Sequence, residues 1–378
     1  MKLYVTVFSP EGEKLADKIA GLTLEICYGQ PFSAGRFVAP RLECHLRHGE
    51  KLGEWVRQAF AEHAPILFIG AMGIAVRAMA PFVSDKAVDS PVLVADEAGR
   101  YVIPVLSGHL GGANELAEQL AGGIGADAVL TTATDVHHVW SADVFARRNG
   151  LHIVNKAGIA EISSRLLLGK EISLAVEGVT GSGVENWRKF LPAGLQMVSY
   201  DMKTQKCEEN TNADLIISTD ETVLASAVLG MKPKQYVMGI GCRRGTAYEQ
   251  IQDFVEKQLN GLQTVRLTDL AAVSSIDCKE REDGIVAFSD RNRIPFYVFT
   301  KEELGAVEGK FHASEFVKKT VGVDNVCERA AAAAAKGELV LQKQAGDGIT
   351  LALARIPKEI LYQRLLDGFA EPACGNEH

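Results

Sequence analysis

The sequence predicts an α/β protein built as several layered parts. Three observations carry this. Apolar runs of strand length alternate with helical patterns along the chain. The chain holds 36 glycines, many placed where an apolar run gives way to a helix. The hydrophobic share of 47% and charged share of 23% are those of an ordinary folded protein, which excludes wholesale disorder, collagen and coiled coil. At roughly 100–200 residues per domain, 378 residues make two or three domains.

In chain order, 3–8 reads as a strand, 14–21 as a short helix and 22–26 as a second strand. Residues 47–61 look helical. The apolar run 66–69 then stops at Gly70 and passes into GIAVRAMAPF, a buried strand followed by a glycine turn and a helix start. Strands at 91–95 and 101–106 are joined by a DEAG turn, and a helix spans 113–120. A strand at 129–132 and a helix at 142–148 come next. These elements make a first part, 1–150.

A middle part, 151–235, has a strand start at 153–154, a helix at 159–168 and strands at 172–176, 195–199 and 215–218. Gly230 and Pro233 read as its linker to the third part. That third part, 236–368, opens with a strand at 236–240, GCRRGT and a helix at 247–260. It continues through 268–275, 285–289 and 303–304, an alanine-rich helix at 325–336, and strands at 339–340 and 350–354. Asn325 and Glu328 have the spacing of a capping box for that helix, and its alanines allow close packing. Residues 369–378 read as a flexible tail.

The formal charge of −8, from 40 basic and 48 acidic residues, argues against a non-specific nucleic-acid binder but leaves room for a local basic pocket. The N-terminus lacks a signal-peptide pattern and no window has the length of a membrane span, so the expected location is the cytoplasm. The 7 cysteines are scattered, with no CxxC pair and no disulfide framework. No metal site of the protein's own is expected; His137 and His138 are adjacent but lack a matching third ligand.

Chemistry concentrates between Gly70 and Asp143. In GAMGIAVR, Gly70 and Gly73 can admit an anionic ligand at a helix start and Arg77 can pair with it; a close-packed turn with a surface arginine is the alternative. In SGHLGGAN, Ser107, Gly108 and His109 stand just past a strand. His109 either moves protons or braces the turn, and Asn114 and Glu115 open the next helix. TTATD supplies the hydroxyls of Thr131, Thr132 and Thr134 and the carboxylate of Asp135. DKAVD adds Asp85, Lys86 and Asp89. A Ser107–His109–Asp135 triad lacks the GxSxG elbow. In GIGCRRGT, anion recognition by Arg243 and Arg244, with Gly245 and Thr246, is preferred to nucleophilic chemistry at Cys242; a glycine turn carrying two solvated arginines is the alternative.

These segments resemble the CbiG family of anaerobic cobalamin biosynthesis, the cobalt-precorrin-5A hydrolases. The resemblance rests on GAMGIAVRAMAPFVSDKAVDSPVLVADEAG, YVIPVLSGHLGGANELAEQLA and TTATD, then VMGIGCRRGT, LAAVSSIDCKERE and DNVCERAAAAAA, in that order over most of 55–355. DS replaces the family's DP at Asp89 and Ser90, and VHHVW comes after TTATD without the usual glycine. The resemblance implies a three-part soluble enzyme with a carboxy-terminal domain like the stand-alone CobE proteins. It further implies that water opens the δ-lactone of cobalt-precorrin-5A and that acetaldehyde leaves, giving cobalt-precorrin-5B. No cofactor of the protein's own is implied, because the cobalt arrives with the substrate.

On that footing the expected catalytic residues are His109 and Asp135. The expected substrate-binding residues are Gly73, Arg77, Lys86, Ser107, Gly108, Asn114, Thr131, Thr132, Cys242, Arg243, Arg244 and Thr246. Expected partners are cobalt-precorrin-5A and water, with contact to other enzymes of the pathway, and neither nucleic acid nor membrane. The competing readings are a non-catalytic protein that binds or channels cobalt tetrapyrroles, and a nucleotide-dependent enzyme using GAMGIAVR as a phosphate cradle.

Overall fold

Two strands, Ile66–Ile69 and Val92–Ala95, are buried along their whole length, as strands covered by helices on both faces must be. They form the middle of a six-stranded sheet in the order Glu43–Leu46, Lys2–Val7, Ile66–Ile69, Val92–Ala95, Tyr101–Leu106, Asp127–Ala128. All neighbours are parallel except the hairpin of Val92–Ala95 with Tyr101–Leu106. The structure is a computed structural model that describes residues 2–22, 35–38, 42–85, 88–109, 111–201, 204, 206–207, 212–262, 264–315, 319 and 321–370.

Alternate side chains of this sheet feed two cores. Leu67, Ile69, Leu93 and Ala95 pack with the helices Pro10–Ala20 and Ala113–Ile124. Ile66, Phe68, Val92 and Val94 pack with Leu52–Ala61 and Met72–Met79. The first helix starts earlier than expected because Ser9 caps it, its Oγ accepting the Gly12 N–H at 3.1 Å.

The described chain divides into two compact units, one of Met1–Ile26 and Ala39–His138, the other of Cys27–Val38 and Val139–His378. The expected boundary at 150 is therefore moved to 138/139. The helix Ala142–Arg148 belongs to the second unit, where Phe145 stacks on Phe369 at 4.1 Å between ring centroids.

The second unit holds two larger sheets. One runs Leu195–Met197, Ile172–Val176, Leu215–Ile217, Leu229–Pro233, Leu151–Ile153; the other runs Leu339–Gly346, Ile349–Arg355, Tyr236–Cys242, Leu270–Ile276, Phe296–Phe299, Arg36–Phe37. Lys232 joins the elements flanking the first sheet to those of the second, its Nζ lying 2.8 Å from Glu221 Oε1 and 2.9 Å from Asp269 Oδ1. In the second sheet, Met238 and Ile240 face the helices Tyr248–Leu262 and Asp283–Asn292. Val237 faces the helix Cys327–Ala335. That helix lies almost on the strand: a Cβ at Gly239 would fall 1.8 Å from the Cys327 carbonyl oxygen. Ala330, Ala331 and Ala334 are wholly buried at the same contact. Asn325 does cap the helix, accepting the Glu328 N–H at 2.9 Å, although Glu328 reaches back to the Asn325 side-chain amide rather than its backbone.

Several expectations fail for identifiable reasons. The helix expected at 47–61 begins only at Leu52. Gly49 is left-handed there (φ 81°), and Arg47 is held by its N–H to the Val5 carbonyl and its Nε to Thr6 Oγ1. The preceding Glu43–Leu46 is an edge strand that the pattern did not reveal. The strand expected at 129–132 lies at Asp127–Ala128, and only the Val129 N–H continues the ladder, to Val102. Gly230 and Pro233 are not a linker: Leu229–Pro233 is a buried strand. Gly230 is glycine because a Cβ would sit 2.8 Å from the Leu224 carbonyl oxygen, and Pro233 ends the strand, where its missing N–H costs little. The tail is not free from 369, because the helix Lys358–Ala370 buries Phe369. Residues 371–378 and 23–26 of the second expected strand lie outside the described residues.

Candidate active site

The strand Tyr101–Leu106 ends in a turn that only this pattern of glycines permits. Ser107 is left-handed (φ 58°), and its carbonyl accepts the Ala113 N–H while that of Gly108 accepts the Asn114 N–H, both at 3.1 Å. The loop is thereby folded back onto the start of the helix Ala113–Ile124. A Cβ at Gly111 would lie 2.4 Å from Ser107 Cβ, and one at Gly108 would lie 2.5 Å from Asn114 Oδ1. The turn brings His109 and Asn114 to the TTATD segment.

Asp135, in the short helix Ala133–Val136, is the centre of that meeting. Its Oδ2 lies 3.0 Å from His109 Nε2 and 2.7 Å from Asn114 Nδ2, and it also accepts from Thr132 Oγ1. Asn114 Nδ2 additionally reaches Thr132 Oγ1 at 3.1 Å, and Thr134 Oγ1 approaches His109 Nε2 at 3.4 Å. An ionised carboxylate has only acceptors, so the ring nitrogen facing it carries the proton and Nδ1 is the basic nitrogen of the neutral ring. His109 and Asp135 side chains remain 16% and 29% exposed, enough for a reactant to reach them.

Four expected residues thus come together: His109, Asp135, Asn114 and Thr132. Thr132 gives its proton to Asp135, which leaves the exposed Thr131 beside it as the threonine able to donate outward. Ser107 is no nucleophile of a triad: it is buried, and its Oγ donates to the Asp89 carbonyl at 2.9 Å. Asp89 itself accepts from the Ser84 N–H and hydroxyl, so it braces the turn below the site. His137 and His138 are exposed, and the described residues contain no group of three His, Cys, Asp or Glu placed to hold a metal.

In the same unit Gly73 and Arg77 occupy successive turns of the helix Met72–Met79. Arg77 has no ion-pair partner among the described residues. It lines an open concavity of about 660 Å³ together with Lys51, Arg57, Ile74 and Phe82. Lys51 and Arg57 escaped the sequence reading, though their spacing on an amphipathic helix places Arg57 outward. Lys86 lies outside the described residues.

The remaining residues lie in the second unit. The strand Tyr236–Cys242 delivers Arg243 and Arg244 to an exposed turn, and neither has an ion-pair partner among the described residues. The turn is built from below: Gly245 N–H donates to Glu282 Oε1 at 2.6 Å and buried Thr246 donates its hydroxyl to the Arg243 carbonyl at 2.7 Å. Thr246 therefore shapes the turn. Burial pushes the Cys242 thiol up, which favours the protonated form and weighs against a nucleophile.

Among the described residues no helix is long and apolar enough to cross a membrane. Residues 54–135 match the family model for the N-terminal part of cobalamin synthesis G, and 236–354 match the model for its C-terminus. The chain is 32% identical over 348 residues to the cobalt-precorrin-5A hydrolase of Salmonella typhimurium, covering 91% of this chain and 95% of that one. It is 30% identical over 308 residues to the enzyme of the same name from Priestia megaterium, covering 79% and 80%. A solved structure of a putative cobalamin biosynthesis protein G homolog from Sulfolobus solfataricus aligns over 94% of this chain and 97% of its own at 20% identity, with a TM-score of 0.36. The first model ends on Asp135, so it contains the whole His109–Asn114–Asp135 cluster, and the second contains the arginine turn. With both models matched in order across more than half its length, the chain belongs to the cobalamin synthesis G (CbiG) family, that of the cobalt-precorrin-5A hydrolases.

Proposed function

We propose that this chain hydrolyses cobalt-precorrin-5A, opening its δ-lactone and releasing acetaldehyde to give cobalt-precorrin-5B. The observation that carries the reading is the His109 ring held by Asp135, itself fixed by Asn114 and Thr132, in a partly open position. Lactone opening needs a base for the attacking water and a donor for the oxyanion. His109 Nδ1 takes the proton of the water, and the Asp135 carboxylate stabilises the imidazolium that forms. Thr131 and backbone N–H groups of the glycine turn are the oxyanion donors in this scheme. Collapse of the tetrahedral intermediate breaks the ring C–O bond, and His109 returns its proton to the departing oxygen.

The freed hydroxyl then loses its proton, its C–O bond becomes the carbonyl of acetaldehyde, and the C–C bond to the macrocycle breaks. The electron pair passes into the conjugated tetrapyrrole. This second step moves protons and electrons within the substrate and needs no separate oxidant. Arg77, Lys86, Arg243 and Arg244 are the groups proposed to hold the peripheral carboxylates, with Gly73, Cys242 and Thr246 forming the surfaces beside them. A division of the second unit into a middle domain and a CobE-like domain, one for each larger sheet, belongs to the same proposal.

The test is anaerobic incubation of the full chain with cobalt-precorrin-5A, tracking tetrapyrrole mass and acetaldehyde together. Stoichiometric release of acetaldehyde, lost in His109→Ala, is the expected result. Tetrapyrrole binding with no acetaldehyde would replace the enzyme by a binding or channelling protein.

A further inference from the structure

The second unit contains another carboxylate–imidazole pair. Glu328, in the first turn of the helix Cys327–Ala335, has no exposed surface. Its Oε2 accepts the His312 backbone N–H at 2.7 Å and Asn325 Nδ2 at 2.6 Å. Its Oε1 accepts the Lys343 N–H at 2.8 Å and lies 2.9 Å from His312 Nδ1. One buried carboxylate therefore grips a single residue by its main chain and its ring, yet the side chain it grips is 59% exposed.

A buried charge is costly, and Asn325 already caps this helix, so a helix terminus does not call for Glu328. What the pair achieves is a fixed tautomer. The N–H groups of His312, Asn325 and Lys343 already donate to the Glu328 oxygens, which therefore meet the His312 ring as acceptors. The proton then sits on His312 Nδ1, and Nε2, with no partner among the described residues, offers its lone pair outward. Carboxylate–histidine pairs of this kind orient imidazoles that ligate metals.

One imidazole does not make a metal site by itself, and the described residues contain no group of three suitable ligands. The metal it suits brings its other ligands along. The location adds a second indication. The carbonyl of Cys327, next to Glu328, overlies Gly239, and the strand then runs on to Cys242, Arg243 and Arg244. At about 3.3 Å per residue the arginine turn is roughly 15 Å further along the strand. It stands at the carboxyl ends of the parallel strands Tyr236–Cys242 and Leu270–Ile276, where α/β sheets bind their ligands. A metal at the centre of a ring with carboxylate arms at its edge calls for a nitrogen donor and separate cations, the two kinds of group that His312 and the arginine turn present in this unit.

We propose that His312 Nε2 is an axial ligand to the cobalt ion of the tetrapyrrole, with Glu328 as its positioning residue. The inference rests on the proposed substrate class, but its test does not rest on turnover. A dative bond forms from the Nε2 lone pair to an open axial position, with no change in oxidation state. The probe is cob(II)inamide, mixed anaerobically with the full chain and read by electron paramagnetic resonance at low temperature. Ligation by one nitrogen splits each high-field cobalt line into a triplet. The triplet is expected with the wild-type chain and with His109→Ala, and is lost in His312→Gln. In Glu328→Gln the apparent affinity falls about 10–100-fold. Circular dichroism matched to wild type separates these losses from misfolding.

A wild-type spectrum without the triplet, whether the corrinoid is bound or free, overturns the proposal, as does a triplet that survives in His312→Gln. Acetaldehyde release without the triplet would defeat the axial ligand and leave the hydrolase standing. The triplet without acetaldehyde would do the reverse.

Discussion

His109 Nε2 lies 3.0 Å from Asp135 Oδ2, although the two residues stand on separate segments on either side of the helix Ala113–Ile124. Asp135→Asn keeps the size of the side chain but lets it present an N–H to the ring, which favours the wrong tautomer. Acetaldehyde release is expected to fall about 10²–10⁴-fold in kcat, with KM little changed, and His109→Ala to fall at least as far. Steady-state assays of the two variants and their double variant check this; losses that multiply would mean the residues act separately.

The turn gives a second prediction. Gly108→Ala places a methyl group 2.5 Å from Asn114 Oδ1 and drives that amide off Asp135. Activity should fall at least ~10-fold, in line with the loss of one positioned contact. Gly122→Ala, in the middle of the same helix with nothing within 4 Å of the new Cβ, should instead raise stability by about 0.5–1 kcal/mol at unchanged activity. Paired melting and turnover measurements separate the two.

Anion binding gives a third. Arg77→Glu and Arg244→Glu each remove a cation from an exposed position without disturbing a described ion pair. Each is expected to raise KM for the tetrapyrrole with kcat nearly constant, the signature of uniform binding, and to steepen at low salt. A drop in kcat at constant KM would show that the arginine acts on the reacting centre instead.

Acid stability gives a fourth. Burial raises the Glu177 carboxyl, but Lys358 and the Thr219 N–H and hydroxyl outweigh it and hold the group at about 2, against an ordinary 4.5. Its contribution is therefore full above pH 4.5 and is lost as pH falls from 4.5 towards 2. Glu177→Gln should be less stable at neutral pH by about 2 kcal/mol after allowance for solvent screening. The two stability curves should converge at the acid end, as denaturant titrations at several pH values would reveal.

Thiol chemistry gives a fifth. Burial pushes the Cys327 thiol up to about 11, whereas Cys278 is exposed. Iodoacetamide at mildly alkaline pH should label Cys278 and spare Cys327 until the protein is unfolded, as site-resolved mass spectrometry would show.

The sequence disclosed the marks that burial leaves in it. Ile66–Ile69 and Val92–Ala95 were legible because a strand covered on both faces must be apolar throughout. Glu43–Leu46 was not, because an edge strand with no fully buried residue carries no such run. Gly230 misled for a different reason: it marks a close approach to Leu224, and in one dimension a contact glycine and a turn glycine look alike. At the site, His109 and Asp135 stood out by residue type and by their place after strands. That Thr132 spends its proton on Asp135 depends on a meeting of two segments that no local pattern encodes. Glu328 was legible only as a capping residue. Its second partner, His312, lies 16 positions away across a segment with no periodic signal.

The bare contact between Gly239 and Cys327 has a consequence for the helix that makes it. Six successive alanines, Ala330–Ala335, present nearly the same surface at every angle, so this stretch by itself does little to fix the rotation of the helix. A turn of one residue, about 100°, would exchange Glu328 for Arg329 and point a cation at the His312 ring. The missing Cβ of Gly239 acts as a keyway: it admits one carbonyl at one angle, and so indexes a featureless rod to the single setting in which the carboxylate faces inward.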